Sequence, residues 1–260
     1  MILVIGRSTE PAGGLDPMSA KRTQERAAVR IARRLVREIR RRRLRPGTKL
    51  DAEHRMVEDL GAARGTVREA LRFLELQGAL RIKAGPGGGP VVSVPGGDHL
   101  ASVLSLHLQF ADASFRSVVD ARCSIYPVLA AEAAENATHE DVVTLRESVA
   151  RMHAGAHDPE LFTEEARRFM SLLATASRNR VLALLVDALH RMSEGAGAWD
   201  ERQRRSALRS YGKTVGAIER GEPDEARSIM EKSLAAGVRS WERTAPDQLK
   251  QPVAWIDSDR

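Results

Sequence analysis

The 260-residue chain contains very little of what builds disulfide scaffolds, thiolate metal sites or membrane spans. A single cysteine, Cys123, excludes a disulfide framework and a thiolate zinc site. As a lone thiol it reads as an inert buried residue more readily than as a sensor. Aromatics make up only 4% of the chain, so Leu, Val, Ile and Ala must fill any core. No apolar run approaches the roughly 20 residues a membrane helix needs. The opening Met1–Ile5 run is also too short for a signal-peptide core. Prolines and turn clusters are few, and Ala, Leu, Glu and Arg are abundant. The expectation is a globular, cytoplasmic, mainly α protein, long enough for two modest domains.

Charge divides the chain. The net charge is +6, but residues 1–95 hold 20 Lys/Arg against 10 Asp/Glu and residues 96–260 hold 21 against 25. The first part is therefore at +10 and the second at −4. A basic module joined to a mildly acidic one points to binding of nucleic acid or a membrane surface, with a separate second function.

Residues 1–18 carry Pro11, Gly13, Gly14 and Pro17 without periodicity and read as a flexible tail, with Met18 as an alternative start. From Ala20 to Leu44 the spacing of Ala32, Leu35, Val36 and Ile39 predicts a helix. Its other faces carry Arg30, Arg33, Arg34, Arg37 and Arg40 to Arg43. These arginines suit phosphate contacts, a solvated face, or a membrane surface for which Trp and Phe anchors are missing. Arg45-Pro46-Gly47 breaks the helix. Asp51 is placed to cap a short helix through Met56, Val57 and Leu60, which Gly61 ends. Val67, Ala70, Leu71 and Leu74 then form the stripe of a second helix. Its first turn gathers Arg64, Gly65, Thr66 and Arg68 at the positive end of the helix dipole. Short helix, glycine turn and helix make a helix-turn-helix. Two strand-like runs follow, 80–83 and 91–94, around a Gly85–Gly89 hairpin tip. That tip lacks the Lys-Ser/Thr and following helix of a nucleotide-binding loop.

Pro95-Gly96-Gly97 reads as the start of a linker (96–98), and all that follows, through 245, reads as about seven helices. They run from His99 to Phe110, Phe115 to Asn136, Thr138 to His153, Asp158 to Ser177, Val181 to His190, 200 to 220 and 222 to 243. The 181–190 helix, apolar almost all round, is the expected centre of a bundle with an interior cavity, and 246–260 is the expected C-terminal tail.

Residues 30–94 resemble the winged helix-turn-helix of GntR-type transcriptional regulators. The resemblance rests on Pro46-Gly47, Leu50, Glu53, Leu60-Gly61, Arg64, Val67-Arg68-Glu69-Ala70-Leu71, Leu74-Glu75 and the wing after Gly78. The remainder is similar to the FadR-type ligand-binding domain through Arg122 before Pro127, Ala130-Ala131, Phe169, Asn179, Ala217-Ile218 with Gly221, and Ala226 with Met230. Together these cover residues 25–243. The resemblance implies a homodimeric regulator, with a repressor as the expected form, on a pseudo-palindromic operator in double-stranded DNA. It places DNA contacts on Arg64, Gly65, Thr66 and Arg68, on Ala84 and Gly85 in the wing, and on His54 in the short helix; the residues themselves add Lys83 beside the wing tip and the basic Arg30 and Arg45. The usual Val-Ser before Arg64 is Ala62-Ala63 here, which removes one cap and phosphate contact, so the operator cannot be borrowed from relatives.

Many FadR-type domains hold a metal on one carboxylate and three histidines. The matching positions here are Ala166, Met170, Tyr211 and Ser233, and periodicity turns them inward. Methyl, thioether, phenol and hydroxyl groups do not assemble a hard-metal site. No cofactor is expected. His153 and His157 are four apart but flank Gly155. An interior of Met, Ala, Tyr and Leu suits an apolar or amphipathic effector such as a fatty acid or acyl-CoA. Arg122, near Tyr126, would meet its carboxylate or phosphate. Arg122 could equally pair with Asp187, and Tyr211 and Met170 could be plain core. Ser, His and Asp lie scattered without a nucleophile elbow, so no enzyme is expected. The competing reading is a sequence-indifferent nucleic-acid binder that uses the Arg-rich helix alone.

Overall fold

Periodic apolar spacing produces helix through most of the chain. The computed structural model describes residues 17–85, 87–193 and 199–256 and divides into two units, 1–95 and 96–260. Of the tail expected over 1–18, residues 1–16 lie outside the described part, and α1 (Pro17–Arg41) already begins at its end. α1 buries Ala28 and Ala32 and half-buries Ile31, Leu35, Val36 and Ile39. It stops three residues short of the expected Leu44, because Arg43 takes a left-handed φ of 51° and the Leu44 N–H turns back to the Ile39 carbonyl.

α2 (Glu53–Leu60) is not capped by Asp51. Ala52 occupies the cap and has no side chain that could accept a hydrogen bond. Gly61 closes the helix in left-handed backbone, φ 58°, with its N–H on the Val57 and Glu58 carbonyls. α3 (Arg64–Leu76) follows and is also uncapped by any side chain, with Ala63 at the cap position. Its buried stripe is Val67, Ala70, Leu71 and Leu74, which pack in one cluster with Ala28, Ala32, Met56 and Leu80.

The wing is an antiparallel hairpin of β1 (Leu80–Lys83) and β2 (Gly89–Val92), with Leu80 opposite Val92 and Lys83 opposite Gly89. The second strand therefore begins two residues before the expected 91–94. The shift follows from the Gly47–Leu50 segment, which takes the other edge of β2: Gly47 N–H donates to Val92, Val92 N–H to Thr48, and Leu50 N–H to Pro90. Val94 falls outside the strand and is exposed.

The second unit contains α4 (Gly97–Phe110), α5 (Phe115–Asn136), α6 (His139–Ala154), α7 (Pro159–Ala176), α8 (Arg180–Arg191), α9 (Glu201–Arg220), α10 (Pro223–Thr244) and α11 (Pro246–Lys250). Side-chain caps set several starts. Thr138 and Asp141 form a reciprocal box, Asp158 accepts from Glu160 and Leu161, and Asn179 accepts from Leu182. The central helix is α5, which packs against α7, α8, α9, α10 and α11. Its Ala130, Ala131, Ala133 and Ala134 let neighbours approach closely. α8, the expected centre, is one-sided, with Val181 69% and Leu184 40% exposed.

Two expected connecting segments are structured. Gly97 and Asp98 belong to α4 rather than to a linker. Gly97 lies so close to α8 that a Cβ there would fall 2.4 Å from Asp187 Cβ. Nor is the described part of 246–260 a free tail, because apolar Leu249 and Val253 are buried with Phe115 and Val118. Phe115 N–H donates to Gln251 O at 2.8 Å and Val253 N–H to Ala113 O at 2.9 Å, which straps this segment across the start of α5.

The α2–α3 turn depends on Gly61. Nothing lies within 4 Å of a Cβ placed there, so Gly61→Ala carries only the backbone cost of left-handed geometry. That cost is about 1 kcal/mol. Thermal unfolding of the 1–95 unit should drop by roughly 4–8 °C; an unchanged midpoint would contradict the strained turn.

Candidate nucleic-acid interface and effector core

With its apolar stripe buried, α3 leaves one polar face, and that face begins with Arg64 and Arg68 four residues apart. Both side chains are mostly exposed, and both reach back to one acceptor on α2. Arg64 Nε donates to Glu53 Oε1 at 3.1 Å, while Arg68 donates through Nη2 at 3.1 Å and Nε at 3.4 Å. Burial pushes the Glu53 carboxyl up, but the hydrogen bonds from Arg68 and Arg64 outweigh it and hold the pKa below the usual range. Arg64 spends only its Nε on Glu53 and keeps its Nη1–Nη2 end, while Arg68 keeps Nη1 and the second hydrogen of Nη2, groups that pair with guanine O6 and N7. The uncapped N–H groups of the α3 first turn lie beside this pair.

The other expected contacts divide. His54 is exposed on α2 next to Glu53, and Gly65 is exposed in the α3 first turn. Thr66 is the correction. At 8% exposure it is buried beside Val67 at the edge of the packing stripe, so its side chain does not face outward. Arg30 on α1, Arg45 in the turn, and Lys83, Ala84 and Gly85 in the wing are exposed, each on its own element. Gly85 needs its freedom, with φ 90°. Lys49 reaches the wing tip, its Nζ donating to Gly87 O. Glu53 as a shared acceptor was not legible in the sequence, because it lies 11 and 15 residues from its partners.

In the second unit, Ala166 and Met170 on α7 and Tyr211 on α9 join one apolar cluster with Tyr126, Phe162, Phe169 and Met230. Phe169 and Tyr211 stack with ring centroids 4.5 Å apart and planes 16° from parallel. Burial pushes the Tyr211 phenol up to about 12. Ser233 on α10 is half-buried. The four positions where related domains hold a metal therefore offer a methyl, a thioether, a stacked phenol and a hydroxyl. That set does not fit a metal. Arg122 Nε donates to Tyr126 Oη at 3.0 Å, and its guanidinium carbon lies 5.2 Å from the Tyr126 ring centroid. Asp187, the alternative partner considered for Arg122, accepts instead from Ser171 Oγ at 2.9 Å. Cys123 is half-buried, and burial raises its thiol pKa, which disfavours the reactive thiolate.

The family profile for bacterial regulatory proteins of the gntR family matches residues 27–89, and the FCD domain profile matches residues 117–236. The chain belongs to the GntR family of transcriptional regulators. Regulators of this family bind DNA and a small-molecule effector, and these domains are regulatory rather than catalytic. Among curated relatives, the HTH-type transcriptional regulator LutR of Bacillus subtilis is 27% identical over 173 residues, 65% of this chain and 78% of that protein. The Uxu operon regulator of Haemophilus influenzae is 26% identical over 223 residues, 80% and 79% of the two chains. A GntR structure from Streptococcus agalactiae shares the fold, with a TM-score of 0.70 at 24% identity over 82% of this chain and 99% of that one. Among the described residues, no helix is long and apolar enough to cross a membrane.

Two measurements test this geometry. If Glu53 orients the two arginines, Glu53→Gln should lower the ratio of specific to random DNA binding by about five- to tenfold while total affinity changes little. An unchanged ratio would reduce Glu53 to a surface ion pair. The second concerns His190, whose pKa burial, then Arg122 and Arg167, lower from 6.5 to about 3. The unfolded chain takes up this proton below pH 6.5 and the folded chain does not. Stability is therefore lost as pH falls from 6.5, by about 1.4 kcal/mol per unit. Chemical denaturation at pH 7 and pH 5 should show a smaller acid loss in His190→Gln than in wild type, and equal losses would contradict a neutral buried imidazole.

Proposed function

We propose that this GntR-family protein is a cytoplasmic, homodimeric, sequence-specific repressor. Two α3 helices would read a pseudo-palindromic operator, and an effector in the helical unit would set operator affinity. The observation that carries the reading is the Arg64–Glu53–Arg68 arrangement: two exposed forks held at the N-terminal end of a helix whose opposite side is buried. A helix of this size fits the major groove. His54 and Gly65 flank the pair, with Thr66 limited to its backbone. Arg30, Arg45, Lys83 and Gly85 would make phosphate contacts that set register without reading sequence.

The fatty acid or acyl-CoA suggested by an apolar interior with Arg122 at one end is the less favoured effector. It would have to enter among Ala166, Met170 and Tyr211, where Phe169 and Tyr211 are already stacked. A smaller ligand needs no such opening.

The competing reading, an Arg-rich α1 that binds any nucleic acid, differs in what it predicts. On a selected operator, Arg64→Ala should cost about 1–3 kcal/mol and relax base preference. Arg41→Ala should weaken operator and random duplex alike and lower the salt slope. Equal loss from both substitutions on both duplexes would favour the sequence-indifferent binder.

A further inference from the structure

The exposed face of α3 has two edges, one toward α2 and one toward α1. At about 3.6 residues per turn, Arg64 and Arg68 share one line along the helix, and Gly65, Glu69 and Arg72 share the next. The first line meets Glu53 of α2. The second meets α1, whose side facing the α3 cluster carries the buried Ala32 and Ala28. The same spacing brings Gln24 to that side one turn earlier. Unlike the two alanines, Gln24 is exposed.

Its neighbours are the first two turns of α3. Gln24 Nε2 donates to Glu69 Oε2 at 3.3 Å. Among the described residues, the same Nε2 is what a Cβ on Gly65 would meet, at 3.8 Å. Gly65 has no side chain and the side chain of Thr66 is buried, so α3 presents bare backbone between Arg64 and Arg68 on this edge. The side chain that stands over position 65 therefore comes from another helix.

The bond to Glu69 fixes which way the Gln24 amide points. A carboxylate accepts and does not donate, so the NH2 end must face it and the amide cannot be reversed. One Nε2 hydrogen is used there. Oε1 and the other hydrogen are left, an acceptor and a donor on one planar group. That pair matches the N6–H2 donor and N7 acceptor of adenine in the major groove. A phosphate offers only acceptors and would leave Oε1 unused. The bond is exposed and joins helices already packed through Ala28 and Ala32, so stability is a minor part of its effect.

We propose that Gln24 is a specificity-determining residue of the DNA-reading surface: held by Glu69 over Gly65, it reads an adenine beside the guanine of each half-site. This rests on the reading of α3 as a sequence reader and adds a base contact from outside the helix-turn-helix. Glu69 is a positioning residue, and its own charge opposes the phosphates.

The test is selection from a randomised duplex library, then titration on the selected site, with full-length wild type, Gln24→Ala and Glu69→Ala. Alanine is the strongest helix former, so both variants should keep the wild-type unfolding midpoint. Wild type should select an adenine next to the guanine of each half-site. Exchanging that A·T pair for G·C should weaken wild type about tenfold and Gln24→Ala by about twofold or less, with the guanine positions and half-site spacing unchanged. Glu69→Ala should lose most of the adenine preference yet bind random duplex more tightly, because a carboxylate has left the surface that faces DNA. A merely structural pair would not move these two readouts in opposite directions. Full adenine preference in a Gln24→Ala protein that still selects the guanine repeat overturns the role of Gln24 alone. Selection of no repeat by wild type overturns the reading of α3 and this one with it.

Discussion

The constraint on which the first unit depends is the burial of one side of α3. Val67, Ala70, Leu71 and Leu74 must leave water, and α1, Met56 of α2 and the start of β1 offer them an apolar surface. Once they are buried, the rotation of α3 is settled. Arg64 and Arg68, on the opposite side, have nowhere to go but outward, and Glu53 on α2 is the acceptor that keeps them from wandering. The Gly61 turn sets the distance between α2 and α3, so a single backbone conformation places one carboxylate within reach of two guanidinium groups. The arrangement comes from packing first and charge second. The ion pairs are mostly exposed, and an exposed pair contributes well under 1 kcal/mol to stability. Their value lies in orientation.

The second unit solves a different problem with different residues. α5 carries alanines where the bundle is tightest, so five helices can pack on it and the interior closes around Phe162, Phe169, Tyr126 and Tyr211. Ala166, Met170 and Tyr211, at the positions where related domains hold a metal, pack in that interior. Polar groups then lie at the margin, where α4 rides on α8 and burial, followed by the charges of Arg122 and Arg167, keeps His190 neutral.

Much of this was legible in the residues. The stripe at 67, 70, 71 and 74, the Gly61 stop, the Thr138 and Asp158 caps and the limits of α5 follow from local periodicity and cap chemistry, which act over four residues or fewer. What escaped the sequence was decided at longer range. The start of β2 depends on Gly47–Leu50, some forty residues earlier. α8 looked central because it is apolar, yet the small residues of α5 decide which helix the others can approach. The C-terminal strap depends on backbone bonds to Phe115 and Ala113, which no local pattern announces. Glu53 belongs to the same class, since its partners meet only after folding.

The central claim is that α3 reads a sequence through Arg64 and Arg68. Selection from a randomised duplex library with the full-length protein at physiological salt tests it most directly. The account predicts enrichment of an inverted repeat whose half-sites share a guanine at fixed positions, with half-site centres one helical turn or a multiple apart. Retention of the library without enrichment, with affinity governed by salt alone, would contradict it.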